Sequence, residues 1–258
     1  MALSLSLHPR RGNLRLPKKL DKMAGNEDAL ICSTDGCAVP EAAPAETIDA
    51  AATAELSVVS DAICPWCYIG KRRLEQAFAL MDGAPRFRVA WRPFELNPQM
   101  PKAGIDRREY RMRKFGSWER SLQMDAQLRE VGNSVGITFR HDLMRRTPNT
   151  FDAHRLIWLA GVLGVQDAMV ETLFRGYFSE GRDIGDARVL TELAGEVGID
   201  RARVEAMLAG TEGSAEVAAD EEVAMRAGLS GVPTFVLGGR VLFSGAQPPE
   251  VIAQALSQ

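Results

Sequence analysis

The hydrophobic pattern divides this chain into strand-like ends around a long helical middle. Leu56-Ser57-Val58-Val59-Ser60 reads as a buried strand, and after it Leu74, Ala77, Phe78 and Met81 recur at i, i+3, i+4 and i+7, one face of a helix. Arg86–Trp91 alternates apolar and polar, the mark of a half-buried strand. From about 105 to 227 the pattern is helical throughout. Met124, Leu128, Val131 and Val135 form one stripe, and Leu156, Ile157 and Ala160 another. Val170, Leu173, Phe174 and Tyr177 form a third, and Val189, Leu190, Leu193, Ala194 and Val197 a fourth, with Asp186 as its expected cap. Gly132, Gly164, Gly198 and Gly228 sit where helices should end, at positions that commonly need a left-handed residue. Thr234–Leu237 returns to strand, Gly238-Gly239 signals a hairpin into Arg240–Ser244, and Val251, Ile252, Ala255 and Leu256 predict a last helix. The expectation is an α/β fold with an all-helical domain inserted at 105–227, between segments 55–104 and 228–258.

Charge and composition remove several classes of function. The chain of 258 residues has 31 basic and 34 acidic side chains, a balance that points neither to nucleic acid nor to an anionic membrane. No apolar run approaches the roughly 20 residues of a membrane helix. Arg107, Arg108, Arg111, Arg113 and Lys114, interleaved with Tyr110 and Phe115, read as a solvated helix face, with a substrate-facing rim as the alternative. Residues 1–54 lack sustained periodicity and read as a disordered extension. Leu3–Leu7 is too short and polar for a secretory signal, so the expected compartment is the cytoplasm. A basic transit peptide, or a true start at Met23 with residues 1–22 an over-extended frame, accounts for Arg10 to Lys22.

The chemistry concentrates at Cys64-Pro65-Trp66-Cys67, a C-x-x-C between a strand and a helix. Backbone N–H groups and the partial positive charge of a helix start favour a thiolate, so Cys64 is expected to attack and Cys67 to resolve the mixed disulfide. Pro65 suits a first helical turn, where its missing N–H costs nothing. A zinc site needs further ligands, and His8, His141 and His154 form no local pair, so no metal is expected. Gly231-Val232-Pro233-Thr234 enters a β-branched strand, where a cis Val232–Pro233 bond would leave the Val232 backbone groups open to an extended substrate. Trp66 and Tyr68 offer apolar contact beside the sulfurs. Cys32 and Cys37, separated by Ser-Thr-Asp-Gly, are near enough in sequence to bond. They are read as a redox relay for the Cys64–Cys67 pair, against a loose metal clamp or two idle thiols.

Ser60-Asp61-x-x-Cys64-Pro65-Trp66-Cys67-Tyr68-Ile69-Gly70-Lys71-Arg72, Trp91–Pro98, Asn149–Arg155 and Gly231–Phe235 occur in order over about residues 55–257. Together they resemble the DsbA-like thioredoxin family, and within it the FrnE-like branch near the 2-hydroxychromene-2-carboxylate isomerases and kappa-class glutathione transferases. The resemblance implies a thioredoxin-like fold with a large all-helical insertion between the second strand and the cis-proline strand. It also implies thiol–disulfide exchange on disulfide-bearing or misbridged proteins, with isomerase activity possible in the family. No tightly bound cofactor is required; glutathione or another small thiol, or a redox protein, would supply electrons. The glutathione-using relatives typically carry serine where this chain has Cys64, a departure that favours dithiol exchange here.

The resemblance also places Asn149 and His154 at the groove, where Asn149 would bond a substrate backbone and Arg155 would meet a carboxylate. Read from the residues alone, Asn149 is a helix-start residue and His154 a histidine packed at the domain junction. Met100, Met112, Met124 and Met144 are read as core fillers. Two rivals stand beside the oxidoreductase: a glutathione-dependent isomerase or transferase of small aromatic compounds, and a chaperone-like binding module with a redox switch.

Overall fold

The computed structural model describes residues 54–81 and 87–258; Met23, Cys32, Cys37 and Arg86 lie outside the described residues. Strand β1 (Ala54–Ser60) leads into helix α1 (Pro65–Leu80) and then β2 (Phe87–Pro93), which pairs parallel to β1 from Ala54↔Phe87 to Ser60↔Pro93. The helical insertion follows. It opens with a two-residue strand, β3 (Ile105–Asp106), then α2 (Arg107–Phe115), α3 (Trp118–Ser134) and a second short strand, β4 (Arg146–Thr147). Five more helices complete it: α4 (Phe151–Val162), α5 (Gln166–Phe178), α6 (Ala187–Glu196), α7 (Arg201–Ala209) and α8 (Ser214–Arg226). The chain then returns as β5 (Thr234–Leu237), β6 (Arg240–Ser244) and α9 (Pro249–Leu256). The sheet order is β2-β1-β5-β6, with β5 antiparallel to both neighbours. This is a thioredoxin-like α/β fold carrying a helical insertion.

Centrality explains the composition of β1. It has a partner on each side, and its last three residues are buried, which is why Val58-Val59 reads as an apolar run. The insertion is fastened to β2 by α4, α5 and α8, and α5 also packs on α1. Tyr68 of α1 stacks on Phe174 at 5.1 Å, with Phe178 beyond at 6.2 Å. Burying side chains of this size contributes about 1.5–3 kcal/mol each. The backbone N–H of Trp91 donates to Gln166 and its indole N–H to Asp167, both at 2.9 Å. Lys71, buried on α1, meets Asp167 at 3.1 Å and also pairs with Glu75 and Glu171. Burial opposes its charge, but these carboxylates outweigh burial and raise its pKa.

The expected elements form, with three corrections. The insertion is not helical throughout: β3 and β4 pair antiparallel, Ile105 with Thr147 and Asp106 with Arg146, and hold the start of α2 in place. Gly132 does not end a helix in a left-handed turn. It lies inside α3, where a Cβ would come 2.5 Å from the Phe139 ring, and the positive φ falls at Gly136 instead. Met112 is exposed on α2 rather than in the core, whereas Met100 and Met144 are buried. Asp186 caps α6 through the N–H groups of Arg188 and Val189, as its spacing predicts.

Candidate active site

Asp61 shapes the turn that carries the cysteines. It is fully buried; its Oδ1 accepts from Ile63 N–H at 3.3 Å and its Oδ2 from Leu96 N–H at 2.7 Å. Its backbone carbonyl accepts from Cys64 N–H at 3.0 Å. One side chain thus pins both the loop after β1 and the segment after β2. Cys64 is the N-cap of α1 with extended backbone, and its carbonyl accepts from Cys67 N–H at 3.0 Å. Pro65 occupies the first turn, which contains no acidic residue, so no side chain of that turn offsets the positive end of the helix dipole at Cys64.

The two thiols are set apart by their surroundings. The Cys64 sulfur donates to the Val232 carbonyl at 3.6 Å and lines a groove with Pro65, the half-exposed Trp66, Gly231 and Val232. Cys67 is wholly buried behind it. Burial pushes the Cys67 thiol well above its ordinary pKa, with Cys64 adding to the rise; the Ser60 hydroxyl and the Asp61 N–H pull the other way. Cys64 is itself only 4% exposed, but it lines the groove, whereas Cys67 does not. A sulfur at the groove with a second kept as a thiol behind it is an arrangement suited to attack followed by resolution.

The Val232–Pro233 peptide bond is cis. Its loop is held by Gly245 N–H donating to the Pro233 carbonyl at 2.7 Å and by the Thr234 hydroxyl donating to Gly231 at 2.9 Å. Across the groove, α2 contributes Arg107, Tyr110, Arg111 and Lys114, while Leu128, Met144 and Phe178 supply apolar surface.

The structure brings Cys64, Cys67, Trp66, Val232 and Pro233 together, and keeps the residues expected from the insertion elsewhere. The Asn149 amide donates to the Met100 carbonyl at 2.9 Å, and its oxygen accepts from Phe151 N–H at 3.1 Å, so the side chain braces the entry to α4. His154 is buried behind the cysteine loop, where its Nε2 lies 3.6 Å from Asp61 Oδ1, a charge contact rather than a hydrogen bond. Burial works against a charged His154, but Asp61, with Glu221 and Glu95 beyond it, raises its pKa. Arg155 meets a carboxylate of its own chain: it donates to Asp152 at 2.9 Å and to the carbonyls of Met207, Gly210 and Glu212 at 2.6–2.8 Å.

Sequence reasoning gave no role to Asp61, Glu95, Glu221 or Tyr110. Asp61 had a legible signal, since an Asp beginning a strand-to-helix turn commonly bonds the backbone two residues on. Glu221 had none, because its contact with Glu95 N–H at 3.1 Å joins residues 126 apart. Among the described residues no helix is long and apolar enough to cross a membrane.

Residues 55–257 match the model of the DSBA-like thioredoxin domain. The chain is 37% identical to a probable DsbA oxidoreductase, SCO1869, of Streptomyces coelicolor, and superposes on its crystal structure with a TM-score of 0.73 over 79% of this chain and 88% of that one. An uncharacterised protein of Bacillus subtilis (strain 168), YwbO, is 29% identical over 206 residues, which cover 80% of this chain and 96% of YwbO. A 2-hydroxychromene-2-carboxylate isomerase shares the fold at 17% identity, with a TM-score of 0.56 over 74% of this chain and 89% of its own.

Proposed function

The chain belongs to the DSBA-like thioredoxin domain family, and from that premise we propose that it is a thiol–disulfide oxidoreductase acting on protein disulfides through Cys64 and Cys67. The observation that carries this reading is the placement of the Cys64 sulfur 3.6 Å from the Val232 carbonyl at a groove, with Cys67 wholly buried behind it.

In the reducing direction the Cys64 thiolate attacks one sulfur of a client disulfide. The client S–S bond breaks, a Cys64–client S–S bond forms, and the departing thiolate takes up a proton. Cys67 then gives up its proton and attacks the Cys64 sulfur. The Cys64–Cys67 bond forms, the second client thiolate leaves, and two electrons have passed from the protein to the client. Two equivalents of a small thiol such as glutathione, or a dithiol protein, restore the reduced pair by the same exchange. With a different client cysteine attacking the mixed disulfide, the cycle isomerises instead and consumes no electrons. An extended client segment would pair with the Val232 backbone, and Trp66 would give it apolar contact.

The test is dithiothreitol-driven reduction of insulin disulfides by the full chain and by Cys64→Ser. Turbidity accelerated by the wild type and at background with the variant is the expected result. No acceleration by a folded, reduced wild type would overturn the reading in favour of a glutathione-dependent enzyme of small molecules.

A further inference from the structure

Helix α2 divides its basic residues between two sides. Arg113 pairs with Glu109 at 2.5 Å, and Arg108 lies over the Trp118 ring at 5.5 Å, a ring that Arg107 also meets at 5.8 Å, but Arg108 and Arg113 do not line the groove. Arg107, Arg111 and Lys114 recur at i, i+4 and i+7, and all three line the groove that contains Cys64.

The charge on that wall is not balanced. Arg107 and Arg111 both reach Asp125 at 2.7 Å, one on each carboxylate oxygen, so two guanidiniums share a single negative charge. Lys114 is exposed and donates to the Tyr110 hydroxyl at 2.7 Å, which in turn donates to Asn97 at 2.6 Å. Among the described residues no carboxylate pairs with Lys114, and no Asp or Glu lines the groove. His141, also on the groove, stays neutral at physiological pH: burial, against Asp125 and with the two arginines, brings its pKa down to about 4. The wall therefore has an excess of about two positive charges in a partly enclosed cleft, where field is focused rather than dispersed.

The spacing bears on what would complement it. Seven residues of helix from Arg107 to Lys114 rise about 10 Å. An extended polypeptide covers that distance in roughly three residues, and its alternate side chains fall on one face. Opposite, the Val232 backbone lies beside the Cys64 sulfur, and Leu128, Met144 and Phe178 give the groove an apolar surface for the side chains between.

We propose that the groove selects polypeptide disulfides whose reacting cysteine is flanked by acidic residues, met directly by the exposed Lys114 and drawn by the positive field of the more deeply set Arg111 and the buried Arg107. The inference rests on the exchange chemistry proposed above and adds the class of client.

Three peptides of equal length test it, each with one internal disulfide flanked by Glu, Gln or Lys. Their reduction by the reduced full chain is followed at low salt and at 1 M salt, and every rate is divided by that of free dithiothreitol with the same peptide. The Glu peptide should react roughly tenfold faster than the Gln peptide at low salt, the lower end of what a one-sign cleft provides. The Lys peptide should be slowest. At 1 M salt, where screening acts within about 3 Å, the advantage should fall to about twofold or less. Lys114→Glu should collapse it at low salt as well. Equal rates for the three peptides, or an advantage untouched by Lys114→Glu, would overturn the proposal while leaving disulfide exchange intact. Oxidised glutathione and hydroxyethyl disulfide form a second arm. A Lys114 dependence confined to glutathione would assign the wall to a small anionic thiol and overturn the polypeptide client. If no disulfide reacts with the folded wild type, the oxidoreductase reading fails and takes this inference with it.

Discussion

Gly70 of α1 lies directly against Pro233: a Cβ at residue 70 would come 3.0 Å from Pro233 Cγ and 3.7 Å from Phe235 Cζ. The absence of a side chain at this position lets the cysteine helix approach the strand that presents Val232 to Cys64. Gly70→Ala places two effects in opposition. Alanine favours the helix by about 1 kcal/mol, whereas overpacking a tight contact costs about 1–3 kcal/mol. Because the added methyl meets a proline ring braced by the Gly245 N–H bond, overpacking should win. The expected outcome is a net loss of about 1 kcal/mol in urea unfolding and a slower insulin reduction rate. Unchanged stability and rate would show that the loop yields freely.

The placement of the two sulfurs, Cys64 at the groove and Cys67 behind it, predicts opposite fates for their serine variants. Cys67→Ser keeps the attacking thiol and removes the group that releases the client. It should therefore accumulate a covalent Cys64–peptide adduct, visible as an added peptide mass in intact mass spectrometry and removed by dithiothreitol. Cys64→Ser should form no adduct, since Cys67 is fully buried and its thiol is held above its ordinary pKa. Adduct formation by Cys64→Ser at the rate of Cys67→Ser would reverse the assignment.

Much of this arrangement was legible because it is local. The strand before Cys64, the helix after it, Asp186 as a cap and the Gly238-Gly239 hairpin each rest on residues a few positions apart, where periodicity and turn chemistry act. Long-range contacts decided the rest. The basic run of α2 reads as one charged face, yet Asp125, from a different helix, joins two of its arginines into a groove wall while Glu109 draws Arg113 away. Gly132 carries the composition of a helix end, but the approach of Phe139 is what requires a glycine there. Asn149 and His154 were placed by resemblance, and only their partners, Met100 and Asp61, locate them away from the groove.

Arg155 offers a test of structure against substrate binding. Its guanidinium serves Asp152 and three backbone carbonyls that close the turn between α7 and α8 onto α4. A lysine keeps the charge but cannot reproduce a planar fork reaching four acceptors. Arg155→Lys should lose about 3 kcal/mol in urea unfolding, the scale of a broken buried charge network. The KM for the peptide disulfides should stay at the wild-type value under conditions where the variant is folded. A raised KM with stability intact would instead place Arg155 at the substrate.

The acidic cluster behind the cysteine loop predicts a pH dependence whose sign follows from linkage. Glu95 is raised to about 7 by burial, then by Glu221 from α8 and Asp61 from the cysteine turn, against His154 from α4 and Lys102. From about pH 4.5 to 7 the native state keeps a proton that the unfolded state has lost, so this residue makes stability fall as pH rises, and its penalty is complete above about 7. The raised pKa of His154 acts in the same direction: its stabilisation is complete below about 6.5 and fades as pH climbs through its higher folded pKa. His141 opposes both, because its folded pKa of about 4 makes stability fall as pH drops below about 6.5. The wild-type profile therefore mixes signs, and the contribution of Glu95 is isolated by subtraction. Glu95→Gln removes its titration together with its share of the His154 shift, which acts in the same direction, and leaves His141. Measured by urea unfolding, the variant should gain stability relative to wild type at pH 8 compared with pH 5, by about 1–2 kcal/mol after allowance for partial exposure. A difference between the two proteins that is the same at both pH values would mean that Glu95 ionises in the folded protein as it does in the unfolded chain.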